Sequence, residues 1–353
     1  MRTASGASDN NMGLTPVRIR GKQKRKSPGT TPSMTAENAP TKMKRSLDSV
    51  RASRSSRHRH RPTLDSLPVE LLESILLYSE NLSLPRSNPL IGAKLSGKAT
   101  KLRLFMTAFH DTWNQWFGIP RCEVYGPEQD PNNDFLCDGD PSFQSAVLGL
   151  PWVDIDLILQ AQQTWSDRYA RDRWYQHSLT FKEGLDRPDD GHDGGYSHFN
   201  ARECFEADYE RALSWPAFEA NPRLWGTVDI HPMVRIPMDL VIGPWDDEMK
   251  RRLFWLTRGC LDLAADDQIS WELKVECLQN VVLFEEKPDP LLVNCLIKDW
   301  VFTDLPEDVV REHVANIDKR LEWGCDDYEC REILSRVRRD LFYNGASPVH
   351  TEM

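Results

Sequence analysis

Long apolar runs are the first thing this chain lacks. No window of about eighteen apolar residues occurs in its 353 residues, so a helix crossing a bilayer is not expected. The first residues carry no apolar core of the secretory-signal kind, and the expectation is a soluble protein of nucleus or cytoplasm. Local catalytic signatures are missing as well. There is no Gly-x-Ser-x-Gly elbow, no His-Glu-x-x-His and no Gly-x-Gly-x-x-Gly behind a strand, so an enzyme is not expected. The eight cysteines (122, 137, 204, 260, 277, 295, 325 and 330) form no Cys-x-x-Cys pair and no regular framework. That spacing argues against zinc or disulfide scaffolding and predicts reduced thiols, mostly core filler. No cofactor and no metal is expected.

Three near misses reinforce this. Gly92, Gly97 and Lys98 come within one residue of a P-loop, but position 99 is Ala where the magnesium-holding hydroxyl belongs, and no strand precedes Gly92. A loop leading into a helix near Thr100 is the reading. Asp189, Asp190, His192, Asp193 and His198 form the one His/Asp cluster, yet their spacing matches neither a zinc motif nor a calcium loop. Paired acids at 246–247 and 326–327 lie at helix starts, where the helix dipole accounts for them.

Charge is what the chain has in abundance, and it is unevenly placed. Residues 1–62 hold fifteen Lys or Arg against three acidic residues, a net of +12, which leaves −22 on the rest of a chain whose total is −10. A body that acidic repels nucleic acid, so any such contact belongs to the leader. The leader is rich in Ser, Thr, Pro and Gly and is expected to be disordered. Its clusters Lys22, Lys24, Arg25, Lys26 and Lys42, Lys44, Arg45 read as nuclear-localisation signals, with an importin as partner, or as a solvated linker.

At residues 64–78 the leader gives way to a patterned helix. Ser66 is placed to cap it, Pro68 to sit in its first turn, and Leu71, Leu72, Ile75 and Leu76 recur at helical spacing. Leu67, Pro68 and Glu70, followed by those aliphatics, resemble the opening of an F-box. A helix over 102–117, with Phe109 and Trp113 facing inward, would supply the third helix of such a unit; a loop with Leu84, Pro85, Pro89 and Gly92 replaces the usual short link. The combination is similar to a divergent F-box-like group of filamentous fungi, over roughly 55 residues. The resemblance implies a Skp-type adaptor, contacted through Leu67, Pro68, Leu71 and Ile75, and an unknown protein client in a cullin ubiquitin ligase. The alternative is a nuclear scaffold in which the same helix is plain core.

The remainder reads as helices. The fold class expected is mainly α: a disordered basic leader (1–62), an F-box-like unit (63–118), an irregular helical body (119–244), a stack of helical hairpins (245–343) and a tail (344–353). Residues 119–150 read as an irregular connection, 152–175 as a helix and 234–242 as including a short extended piece. Asn200 and Glu203 resemble a capping box. A helix opens in the acidic turn after Pro244 and closes at Arg258 and Gly259. Others carry Trp271, Val275 and Leu278; Leu292, Leu296 and Trp300; Val310, Val314, Ile317 and Leu321; and Cys330, Ile333, Val337 and Leu341. A weak echo between 256–262 and 321–327 resembles an ankyrin helix end, although the Thr-Pro-Leu-His opening motif is absent.

Overall fold

The computed structural model describes residues 63–119, 137–173, 175, 199–221, 225, 227–259, 261, 263, 269–322 and 327–344, and every regular element among them is a helix. The leader, the His/Asp cluster and residues 260, 262 and 323–326 of the ankyrin-like echo lie outside the described residues. A 3-10 turn, Leu64–Ser66, precedes α1 (Val69–Ser79). Then follow α2 (Leu84–Ser87), α3 (Pro89–Leu95), α4 (Lys98–Trp116), α5 (Pro141–Leu148), α6 (Ile155–Tyr169) and α7 (Ala201–Leu213). The chain continues through α8 (Met238–Ile242), α9 (Asp247–Arg258), α10 (Trp271–Leu278), α11 (Pro290–Leu296), α12 (Asp299–Phe302), α13 (Glu307–Glu322) and α14 (Tyr328–Asn344). None of the described helices is long and apolar enough to cross a membrane.

Helix starts follow local chemistry. Asp140, Asp154, Asn200, Asp246 and Asp289 each accept a hydrogen bond from a first-turn amide, opening α5, α6, α7, α9 and α11. Several sequence expectations need correction here. Pro85 and Pro89, expected in a loop, each occupy the first turn of a helix, where a missing N–H costs little. Asn88 caps α3 by accepting from the Leu90 amide at 2.8 Å. α5 interrupts the stretch expected to be irregular; Asp140 before Pro141, with Phe143, Val147 and Leu148 buried behind them, was the available signal. The 234–242 stretch ends in a helix, and α6 stops at Tyr169, short of 175. The helix placed near Thr100 begins at Lys98. The one expected over Leu292 and Trp300 breaks at Ile297 and Lys298, whose backbones are extended.

One apolar cluster runs from Leu72 to Leu341, and the described residues belong to a single compact unit. At its centre α4 packs on α6, and the second half of α9, from Leu253 to Arg258, is buried throughout. Phe105 and Phe109 of α4 stack at 4.4 Å, and Trp255 of α9 meets Phe109 edge-on at 6.1 Å. Cys330, Ile333, Val337 and Leu341 line the inner face of α14 as their spacing implies. α10 runs into a π-type turn, Gln279–Leu283. There Arg320 of α13 donates to the carbonyls of Val282 (2.9 Å) and Leu283 (3.0 Å), and to those of Glu285 and Glu286.

His313 of α13 was not part of the apolar stripe, yet it is buried and its Nδ1 has no hydrogen-bond partner. Burial holds its pKa below the ordinary 6.5, against the opposing pull of Glu312. As pH falls through 6.5 the unfolded chain takes up this proton before the folded one does. The contribution to stability is therefore complete above that pH and shrinks below it. Urea midpoints measured from about pH 7.5 down to 5.5 should fall, and fall less in His313→Gln. Parallel curves for the two proteins would remove His313 as the cause.

Candidate docking face

α1 is held from one side and open on the other. Leu72, Glu73 and Leu76 are buried toward α3 and α4, whereas Leu71, Ile75 and Tyr78 are 52 %, 38 % and 92 % exposed. Positions 71, 75 and 78 stand at i, i+4 and i+7, so they form one stripe. Leu64 in the preceding turn and Val69 at the start of α1 are also exposed, but they do not lie on this stripe. Sequence periodicity counted Leu71, Leu72, Ile75 and Leu76 as one apolar face. Packing divides it into an inner pair, Leu72 and Leu76, and an outer pair, Leu71 and Ile75.

Of the four residues expected to touch a partner, Pro68, Leu71 and Ile75 are exposed, and Leu67 is half-buried against the core. Ser66 does not cap α1. It belongs to the 3-10 turn and its hydroxyl donates to the Thr63 carbonyl at 2.6 Å. The reason lies in Leu67: a residue before proline is pushed out of the helical region, and Leu67 is extended at φ −68°, ψ 148°. The helix therefore starts after Pro68, whose carbonyl accepts from the Leu72 amide at 3.2 Å. Sequence reasoning missed Tyr78, although its spacing of seven from Leu71 was visible.

The face is fixed in place by polar contacts beneath it. Lys94 of α3 donates to the carbonyls of Asp65 (2.7 Å) and Leu67 (2.8 Å), tying the turn to α3. Arg103 of α4 pairs with Glu73 of α1 at 2.9 Å. An exposed apolar stripe on an anchored helix can be covered by a partner without first paying the entropy of ordering it.

A second cluster of charged side chains lies deep in the core, and nothing in the sequence marked it. Arg258 at the end of α9 donates to Asp208 of α7 at 2.8 Å and to Asp229 at 3.2 Å. Thr227 donates its hydroxyl to the other Asp229 oxygen at 3.0 Å, and Trp113 of α4 donates its indole N–H to the Asp229 carbonyl at 2.8 Å. Burial works against the Arg258 charge, but the two carboxylates outweigh it and raise the guanidinium pKa. Tyr175 and Cys204 nearby are both pushed up by burial, so both stay protonated near neutral pH. Cys295 is pushed up to about 11 by the same cause. Of the described cysteines, 204, 277, 295 and 330 are buried and 137 is half-buried, and no disulfide joins them. Among the described residues no group of three or more His, Cys, Asp or Glu is arranged to hold a metal. The arrangement serves to join α4, α7 and α9 around buried charge.

The basic residues Lys22, Lys24, Arg25, Lys26, Lys42, Lys44 and Arg45 lie outside the described residues. No family model, no curated protein and no solved structure matches the chain.

Proposed function

We propose that this chain is a protein-interaction subunit whose α1 docks a Skp-type adaptor of a cullin ubiquitin ligase while the helical body receives a protein client. The observation that carries this reading is the exposure of Leu71 and Ile75, continued by Tyr78, on a helix whose opposite side is locked into the core. Apolar side chains at helical spacing on the open side of an anchored helix support docking over a helix that serves the core alone. Burying it would contribute roughly 25 cal/mol per Å2 of apolar surface, with aromatic residues such as Tyr78 the usual anchors.

The decisive substitution avoids Leu67, whose partial burial would mix binding with folding. Leu71→Asp/Ile75→Asp should abolish co-precipitation of a Skp-type adaptor that the wild type recovers, with far-UV circular dichroism unchanged. Equal recovery by both proteins, or none by either, rejects adaptor docking.

The charge asymmetry favours a second, independent assignment. The +12 of residues 1–62 supports importin recognition of the two basic clusters and a nuclear location. Alanine at Lys22, Lys24, Arg25 and Lys26 should shift a tagged protein toward the cytoplasm in fluorescence images. An unaltered distribution counts against the signal.

A further inference from the structure

A cleft of about 270 Å3 opens between α1, α2, α3, α4 and the segment after α5. None of the outer residues of α1 lines it, so it stands or falls apart from adaptor docking. Its walls are apolar: Leu76, Leu82, Leu95, Leu104 and Leu150 face into it, with Trp152 at one edge. Two cations, Arg86 and Lys101, line it together with the hydroxyl residues Ser96 and Thr100, and no carboxylate among the described residues does. Among the described residues the Arg86 side chain has no ion pair or hydrogen bond; only its backbone amide donates, to the Ser83 carbonyl at 3.0 Å. Among the described residues Lys101 has no carboxylate partner either; its ammonium sits 5.4 Å from the centre of the Trp152 ring, which holds a positive charge at the rim. Two uncompensated cations over an apolar cleft stand out on a body whose net charge is −22.

The cleft is built rather than incidental. Leu76, Leu95 and Leu104 are otherwise buried, and the wall at Gly92 is a backbone contact: a Cβ there would lie 2.6 Å from the Pro85 carbonyl oxygen. α2 and α3 therefore touch main chain to main chain and keep the opening shaped without a ligand. Its volume is just under the range of ligand pockets, about 300–1,000 Å3, which suits one short apolar chain and is too small for a helix of another protein.

From this geometry we infer a binding site for a small anionic amphiphile, a medium-chain carboxylate, with the hydrocarbon between Leu76, Leu95 and Leu104 and the carboxylate at the mouth. Arg86 supplies a planar fork that matches a carboxylate, and Lys101 supplies a compact charge beside it. Together they reward an anion, leave an alcohol indifferent and repel an amine. The apolar walls supply affinity for the chain in proportion to its length.

The test titrates octanoate, 1-octanol and octylammonium into the full chain by isothermal calorimetry, below the concentrations at which they aggregate, with thermal shift as a second readout. Octanoate should bind once per chain, at least about ten-fold tighter than the other two, and should raise the melting temperature. Arg86→Gln/Lys101→Gln should bring octanoate down to the level of octanol and leave octanol unchanged. Leu82→Trp should abolish binding of both by filling the cleft; Ser96→Trp, at an exposed position on the lining, does the same should the first variant not fold. Three equal affinities, octanoate binding that survives Arg86→Gln/Lys101→Gln, binding that persists in the filled variants, or no binding at all would each overturn the assignment.

Discussion

Arg258→Met should cost about 3–5 kcal/mol of stability, the range for removing one partner of a buried ion pair. The side chains of Arg258, Asp208 and Asp229 are almost wholly removed from solvent, so the variant leaves two carboxylates in the core without the guanidinium between them. A methionine of similar length fills the space but neutralises nothing. Urea unfolding at neutral pH measures the loss, and a thermal melt should register it at about 2–4 °C per kcal/mol. The decisive control is Arg258→Met/Asp208→Asn, which removes one of the stranded charges. It should be less destabilised than the sum of the single variants, with a coupling of roughly 1–3 kcal/mol. Strict additivity would mean that the pair contributes packing alone.

Trp255→Ala should be nearly as damaging, at about 3–5 kcal/mol, because it empties the place where α4, α6 and α9 meet. Trp255 is fully buried, its ring lies against Phe105 and Phe109, and its indole N–H donates to the Gln162 side-chain oxygen at 3.2 Å. Truncation therefore loses ring contacts and leaves a buried acceptor without its donor, two costs that add. Trp255→Phe separates them: it keeps most of the packing and should recover more than half of the loss. A Trp255→Ala protein within about 1 kcal/mol of wild type would show that the three helices do not share one core.

Elements whose ends carry local chemistry were legible in the sequence. α9 is bounded by Asp246, whose carboxylate accepts the Met249 amide, and by Gly259, and both were visible as residues. α14 was legible through its repeat alone, since Cys330, Ile333, Val337 and Leu341 need only face one way. Proline misled twice, at Pro85 and Pro89 and again at Pro141, because the same residue opens a helix or breaks one according to what precedes it. The division of α1 into inner and outer apolar residues was not legible. Periodicity reports which side chains share a side, and only the neighbours decide which of them is covered. The buried ion cluster was further out of reach, since Arg258 is 50 residues from Asp208 and 29 from Asp229, with no spacing rule linking the three.

Asp229 has a mechanical consequence. Its main-chain carbonyl takes the indole of α4, which carries α1 against its flank, and its carboxylate takes the guanidinium of α9. A single residue thus clamps the helix behind the exposed stripe of α1 to the helix on which the C-terminal half begins. A partner seated on Leu71 and Ile75 would meet a lever and not a tether: turning α1 would turn α9 with it. The reach from that partner to anything held by the later helices would be a fixed span, set by the core and not by the length of a connecting loop.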